Sequence, residues 1–265
     1  NWHNITPPEL PEWSYVGSVE VSPHDPACAY VAATRYKLDD YRPYLYKTAD
    51  YGQTWNNITG DIPQDEITRV LRADPVQPGL LYVGSETGVF VSFDDGQHWQ
   101  VLRNNLPITP VYDLKIKDDD LVAGTHGRSF WILDDLTPLR ALNADAAQSA
   151  AHLFAPRPTY RSPLHWSANL FGGDGEGRKN YMLGLGAHAG YYQEKTPEGE
   201  TVRRYLDAGE NPPPGAIVYY LLEQEPDAPI ELTFLDAAGE EISSFTSKPE
   251  EKESEDKEDE EDKEE

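Results

Sequence analysis

"TADYGQTW" (48–55) and "SFDDGQHW" (92–99) are one turn written twice, 44 residues apart. Asp50 aligns with Asp94, Gly52 with Gly96, Gln53 with Gln97 and Trp55 with Trp99. A recurrence at a period of roughly 20–50 residues marks a repeat architecture, so the repeat governs every later reading. The register continues past the tryptophan. In "WNNITGDIP" and "WQVLRNNLP" an aliphatic residue stands three positions after the Trp and a proline eight after. "WHNITPPELP" from Trp2 fits the same template with one extra residue, which predicts that the chain opens inside a repeat. "GSETGVFVSFDD" (84–95) and "GTHGRSFWILDD" (124–135) align without a gap at an offset of 40. Beyond that point Leu136, Thr137 and Leu139 replace the glycine and tryptophan.

Each period reads as four short strands. "VLRADP", "LLYVGS", "GVFVSF" and "HWQVLR" are β-rich and bounded by turn formers. The period before supplies "VGSVEVSP", "AYVAATRY", "YLYKTA" and "TWNNIT"; the period after supplies "VYDLKIK", "LVAGT", "SFWILD" and "LRALN". Four short antiparallel strands per period of about 40–50 residues make a β-propeller blade. No apolar period of about 3.6 residues runs through these segments, which excludes a helical solenoid. In each copy the Asp and Gly fall between the third and fourth strands. The Asp side chain can accept hydrogen bonds from backbone N–H groups two and three residues on, while Gly tolerates positive φ. Each Trp opens the outer strand and is expected to pack as an apolar plate on its own sheet. Asp50, Gly52, Trp55, Asp94, Gly96 and Trp99 are therefore read as architectural, not catalytic or calcium-binding.

These turns resemble the Asp-box, or BNR repeat, found in sialidases, xyloglucan-degrading glycosidases, the sortilin propeller and photosystem assembly factors. With "ATRYKLDDYRPYLYKTADYGQTW", "GTHGRSFWILDDLTPL" and "LFAPRP" the chain resembles large bacterial BNR-repeat glycosyl hydrolases, also described as sortilin N-terminal-domain-like proteins. The resemblance runs from Trp2 to about Phe245. It implies propeller modules followed by a β-sandwich, with Asp-boxes lying away from any active site. Activity still has to be read from a site, since one fold hosts many functions.

The fold expected is all-β: C-terminal blades of an Asp-box propeller over 1–143, a linker and irregular connection over 144–211, and a partial immunoglobulin-like sandwich over 212–247. A disordered acidic segment follows over 248–265. "NADAAQSAAHLFAPRPTYR" reads as an alanine-rich helical turn running into an extended proline segment. "FGGDGEGRKN" (171–180) is a glycine-rich loop with no strand leading in and no Gly-Lys-Ser/Thr, so it is not a phosphate cradle. "PIELTFLD" alternates apolar and polar residues and pairs through an Asp236–Gly239 turn as a hairpin. The final 18 residues hold no aromatic or β-branched side chain and cannot offset their ordering entropy.

Formal net charge is −25, about −8 of it in the terminal run, and such acidity argues against nucleic acid or an anionic membrane as partner. The single cysteine, Cys28, permits no internal disulfide and no Cys-based zinc site. No metal or cofactor motif is present, and no run of about 18 apolar residues could span a bilayer as a helix. The start at Asn1 without an initiator methionine leads to the expectation of a processed product or fragment, with further blades upstream. About three blades are visible where closed rings have at least about four, so an isolated chain is expected to self-associate.

Ligands of propellers meet the mouth of the channel, lined by innermost strands and the loops at one face. Candidates are Arg69 and Arg72 on one inner strand, Tyr112, Asp113 and Lys115 on the next, and His126 and Arg128 in "GTHGRSFW". The insertion "RYKLDDYRP" lengthens one connection by about eight residues and supplies Tyr36, Asp39, Asp40, Tyr41 and Arg42. The alternatives are a His126 that bonds a backbone carbonyl, a solvated tip at Asp39 and Asp40, and arginines paired with Asp113. Phe130 and Trp131 read as blade packing. Asn4-Ile5-Thr6 and Asn57-Ile58-Thr59 match the glycosylation sequon, but the shared strand template accounts for both.

Glycosidases place two carboxyl groups about 5–5.5 Å or about 6.5–9.5 Å apart, and Asp113 or the Asp39–Asp40 pair could contribute one. Asp113, beside an arginine, suits a base or nucleophile better than an acid, with its partner across the ring. The "RIP" element by which sialidases resemble one another does not occur. Neither a G-x-S-x-G elbow nor an H-E-x-x-H occurs. Three functions compete: an extracytoplasmic (secreted or periplasmic) module binding a glycan or peptide; part of a glycoside hydrolase; and a structural or assembly scaffold.

Overall fold

The computed structural model describes residues 2–142, 144–159, 180–184, 187–195, 201–205 and 215–247. The glycine-rich stretch 171–179 and the acidic segment 248–265 lie outside these residues. Blade I is a four-stranded sheet of β1 (Tyr15–Val21), β2 (Ala29–Arg35), β3 (Asp40–Thr48) and β4 (Asn56–Asn57). Blade II repeats it with β5 (Thr68–Ala73), β6 (Leu81–Ser85), β7 (Val89–Ser92) and β8 (Gln100–Leu102). Blade III has β9 (Val111–Lys117), β10 (Asp120–Thr125) and β11 (Phe130–Leu133). Every pairing in them is antiparallel between sequence neighbours, so each blade is an up-and-down meander.

The expected fourth strand of blade III, "LRALN", is not formed: Leu139–Ala141 belong to helix α1 (Thr137–Ala141), and Asn143 lies outside the described residues. Pro138 sits in its first turn, where a missing N–H costs nothing; in a strand it would remove a ladder bond. Leu136 is fully buried just before the helix and turns the chain inward. A second difference lies in the β10–β11 turn. Gly84 pairs with Val89 in blade II, but Gly124 pairs with Phe130 in blade III, so that turn is one residue longer. The gapless sequence alignment therefore slips by one: Trp131, not Phe130, takes the place of Phe90. Trp131 packs on the core while Phe130 is exposed.

The blades stack face to face. Tyr30, Ala32 and Leu45 on the front of blade I meet Leu71, Leu81, Val83 and Phe90 on the back of blade II. The front of blade II, with Tyr82, Val89 and Val91, meets Leu114, Leu121 and Ala123 of blade III. Each large apolar side chain buried in this way contributes about 1.5–3 kcal/mol.

The two Asp turns join the repeats along the sequence. Asp50 accepts from the Thr54 N–H at 2.8 Å and the Thr54 hydroxyl at 2.6 Å. Asp94 accepts from the His98 N–H at 2.9 Å, and its other oxygen meets His98 Nδ1 at 2.6 Å. The carboxylates thus reach four residues on, not two or three, because Tyr51 and Gly52, like Asp95 and Gly96, are both left-handed and widen the turn. A Cβ at Gly96 would press on Ile58, as one at Gly52 would press on Ile5. The tryptophans pack as expected and add a hydrogen bond each. Trp99 donates its indole N–H to the Ile58 carbonyl at 2.8 Å, and Trp55 donates to the Ile5 carbonyl at 2.8 Å. Each Trp thus clamps the outer segment of the preceding repeat while packing on its own sheet, Trp55 against Val31, Ala33, Tyr44 and Tyr46 and Trp99 in one cluster with Leu81, Val83 and Phe90. Blade I grips the second turn as well, through Lys47 and through the Tyr30 hydroxyl, which donates to Asp95 at 2.9 Å.

By its contacts the chain forms two units. Asn1–Leu142 with Phe154–Tyr219 holds the blades and a meander of β13 (Asn180–Gly184), β14 (Ala187–Lys195) and β15 (Thr201–Tyr205), within a stretch expected to be irregular. Asn143–Leu153 with Tyr220–Glu265 holds α2 (Ala144–Gln148), β12 (Ala151–Leu153) paired with β16 (Tyr220–Leu222), and the hairpin of β17 (Glu231–Leu235) and β18 (Glu241–Thr246). The hairpin turns as read: Asp236 accepts from the Ala238 and Glu240 N–H groups, and Gly239 has φ 86°.

Loss of the Asp94 carboxylate removes the bonds that close the second turn. Asp94→Ala is expected to lower stability by about 1–2 kcal/mol in denaturant melts, with the baseline spectrum of the folded state unchanged. The same turn carries a pH dependence. Hydrogen bonding and charge from Asp94 raise the His98 pKa above its ordinary 6.5. A raised histidine adds stability that is full below that ordinary value and lost as pH rises through the folded value. Melts of the parent and His98→Gln should differ more at about pH 6 than at about pH 8.

Candidate functional site

The inner strands β1, β5 and β9 lie side by side, so close that a Cβ at Gly17 would run into the Arg69 carbonyl oxygen. Their first residues pair with the last residues of β2, β6 and β10. The β2–β3, β6–β7 and β10–β11 connections therefore share one rim with Tyr15, Arg69 and Tyr112. The Asp turns follow β3 and β7 and lie at the opposite end, where the Tyr51 N–H meets the Ala27 carbonyl and the Asp95 N–H meets that of Gly79.

On the rim, the Arg69 guanidinium is sandwiched between two rings, 4.6 Å from the Tyr36 centroid and 4.5 Å from that of Tyr112. Glu86 holds it from the side with contacts at 2.5 and 3.1 Å. Burial works against the Arg69 charge, but the Glu86 carboxylate outweighs it and the pKa rises. The His126 ring lies 5.0 Å from that of Tyr112. The stack is thus Tyr36, Arg69, Tyr112, His126, built by three blades. Beside it Tyr15, Gly17, Thr34, Tyr36, Lys37, Arg69 and Tyr112 line an open cleft of about 270 Å³.

The insertion in blade I is folded more tightly than its sequence implies. Its residues extend β3, leaving Tyr36–Asp39 as the connection, with Tyr36–Leu38 a single 3₁₀ turn. Asp40 is no solvated tip: it accepts from Arg35, Arg42 and Tyr44. The Arg42 hydrogen bonds hold its carboxyl well below the usual carboxylate range. Asp39 is exposed, left-handed at φ 56°. Arg128 is also exposed, its N–H bonded to Thr125 Oγ1 and its carbonyl to the Trp131 indole. The His126 N–H donates to the Pro110 carbonyl at 2.8 Å, which satisfies the turn and leaves the ring free to stack.

Deeper on the wall the two arginines part company. Arg69 pairs with Glu86, whereas Arg72 donates to Asp113 at 2.7 Å, to the Leu114 carbonyl at 2.7 Å and to Glu20 at 3.4 Å. Arg72 therefore ties β1, β5 and β9 together. Burial pushes the Glu20 carboxyl up in spite of Arg72. A second open cleft, about 350 Å³, is lined here by Val19, Glu20, Val21, Arg72, Lys115 and neighbours. Sequence reading missed Glu20 and Lys37. Laying "GSVEVSP" over "VLRADP" puts Glu20 on Arg72 and could have found the first; Lys37 had no repeat partner to expose it.

Among the described residues no three His, Cys, Asp or Glu side chains gather as a metal would require, and no helix is long and apolar enough to cross a membrane.

No protein-family model matches the sequence. No curated protein matches it either. Solved structures similar to it are propellers. The GH74 enzyme of Niastella koreensis is 14% identical, with TM-score 0.37, covering 45% of this chain and 21% of its own. The GH74 xyloglucanase of Xanthomonas campestris is 18% identical, with TM-score 0.35, covering 76% of this chain and 32% of its own. YCF48 bound to D1 peptide is 20% identical, with TM-score 0.34, covering 45% and 36%. The chain thus spans about a fifth to about a third of these proteins.

Three inner strands depend on one guanidinium, half-shielded from water. Arg72→Met keeps the stem and removes the bonds to Glu20, Asp113 and Leu114. It should cost about 2–3 kcal/mol in urea melts, while Asp113→Asn, which leaves the other two bonds, costs about 1 kcal/mol or less.

Proposed function

We propose that this propeller segment is a binding module that takes an extended glycan on the rim formed by Tyr36, Arg69, Tyr112 and His126. The aromatic stack carries the reading. A sugar ring offers a face of polarised C–H groups, which packs on the electron-rich face of a tyrosine. Tyr15, 66% exposed, lines the cleft beside the stack and can offer its ring face, while Tyr112, its ring between Arg69 and His126, is still 46% exposed there. The Arg69–Glu86 pair fixes the central ring pair in place, and pre-organised side chains bind without losing rotamer freedom. Lys37, Asp39 and Arg128, exposed on the same rim, add donors and acceptors suited to hydroxyl groups. An extracytoplasmic location, where polysaccharide is met, goes with this reading.

A hydrolase is the second reading, and one observation favours it. Glu20 and Asp113 face a single arginine on the open wall, and burial raises Glu20. That difference in setting suits Glu20 as the acid and Asp113 as the base or nucleophile.

Calorimetric titration with xyloglucan and other soluble oligosaccharides separates the readings. The parent should bind without turnover, and Tyr112→Ala should weaken binding at least about tenfold, the loss of about 1.4 kcal/mol. Binding of extended peptides in place of glycans, or glycan binding indifferent to Tyr112, contradicts the proposal. Turnover of aryl glycosides or xyloglucan oligosaccharides that vanishes in Asp113→Asn and in Glu20→Gln establishes the hydrolase instead.

A further inference from the structure

The chain carries a formal charge of −25, yet the cleft beside the stack holds the cations Lys37 and Arg69 and no carboxylate among the residues that line it. The nearby carboxylates are engaged elsewhere. Asp40 accepts from Arg35, Arg42 and Tyr44, and Glu86 closes on Arg69. Glu66, only 7% exposed, accepts from the Thr87 N–H at 3.0 Å and the Thr87 hydroxyl at 2.9 Å. Asp39 is exposed but does not line the cleft. Because Glu86 already neutralises Arg69, Lys37 is the free charge of the cleft.

In so acidic a chain a cation readily meets a carboxylate, and in the blades Arg42, Lys47, Arg69, Arg72 and Arg140 each hold one. Among the described residues Lys37 and Arg128 hold none, and both stand on the rim. Lys37 sits in the 3₁₀ turn after β2, which the Asp39 N–H closes on the Tyr36 carbonyl at 3.2 Å. Its Nζ lies 5.9 Å from the centre of the Tyr36 ring. Arg128 is exposed in the corresponding connection of blade III, two residues beyond His126. A free cation therefore belongs to each end of the stack of Tyr36, Arg69, Tyr112 and His126.

We infer that the glycan taken by this rim is acidic: a sugar stacked on the tyrosines of the cleft presents an anionic substituent, a carboxylate or a sulfate, to the Lys37 ammonium. The inference rests on the glycan reading of the rim and adds the charge of the ligand. At physiological ionic strength the field of an exposed charge decays over about 8 Å, so a ligand in the cleft responds to the groups around it before the acids elsewhere on the chain. A compact ammonium makes a charge-assisted hydrogen bond to one oxyanion without the fixed fork of a guanidinium. That suits a substituent projecting from the edge of a stacked ring. A neutral sugar offers Lys37 only hydroxyl acceptors, so this contact separates the two classes of glycan.

Calorimetric titration of the whole chain with three oligosaccharide series tests this: oligogalacturonate for the carboxylate, a sulfated galactan for the sulfate, and xyloglucan oligosaccharide as the neutral control. The parent should bind at least one acidic series about fivefold or more tighter than the neutral one. Lys37→Gln, at an exposed position and with a donor retained, should cut that ratio severalfold. Adding Arg128→Gln should bring it to about one, while Lys37→Arg should preserve it. The acidic series bound more tightly identifies the substituent. A neutral series bound as tightly as both acidic ones overturns the inference and leaves the glycan reading standing. So does a Lys37→Gln variant that weakens acidic and neutral series alike. Binding of none of the three by a parent that circular dichroism shows to be folded overturns the reading and the inference together.

Discussion

Burial of both faces of blade II is the constraint from which the rest of the structure follows. Its strands β6 and β7 have no exposed residue, and β5 has none that is fully open. A sheet covered on both sides has no solvent face for alternating polar residues, so "LLYVGS" and "VFVS" are continuous apolar runs. Among the described residues blade III is covered on one side only, and β9 accordingly has two unlike faces, with Val111 and Leu114 inward and Tyr112, Asp113 and Lys115 outward, the adjacent Tyr112 and Asp113 both being exposed across a bulge. Once blade II is enclosed, the inner strands of all three blades must lie side by side. That adjacency lets Arg72 reach across two junctions and lets Tyr36, Arg69, Tyr112 and His126, from three separate repeats, meet in one stack.

Strand positions were readable because β-rich runs and turn residues alternate without ambiguity, and because the repeat supplied an independent check. The fourth strand of blade III failed where the repeat had already decayed, since Pro138 and the buried Leu136 run helix α1 into a strand-like "LRALN". The gapless alignment failed for a different reason. One added residue in a turn flips the side chains of the following strand, and nothing in the composition of "GTHGRSFW" marks where it was added. The tryptophans lie on their own sheets as their type implies, but their indole hydrogen bonds to the preceding repeat could not be read from the sequence. A sheet-packing residue is recognisable by type, while its partner across a junction is fixed only by how the blades stack.

Of the candidate site, position on the rim was legible and pairing was not. Arg69, Tyr112, His126, Arg128, Asp39 and Asp40 all come to one end because inner strands begin there in every blade. Which carboxylate meets which arginine depends on a few ångströms between strands, so Glu86 rather than Asp113 holds Arg69. Glu20, which shares Arg72 with Asp113, escaped notice within an apolar-looking strand. The two ends of the blades therefore divide their work. Left-handed Asp turns and indole clamps hold successive repeats at one end, and aromatic and charged side chains gather at the other.

Hydrogen–deuterium exchange with and without bound oligosaccharide tests that division directly. Amides at the rim, around Thr34–Asp39, Thr68–Arg69, Val111–Tyr112 and Thr125–Ser129, should gain protection on binding, while those of the Asp turns at 48–55 and 92–99 stay unchanged. Protection centred on the Asp turns, with the rim unaffected, would contradict the account.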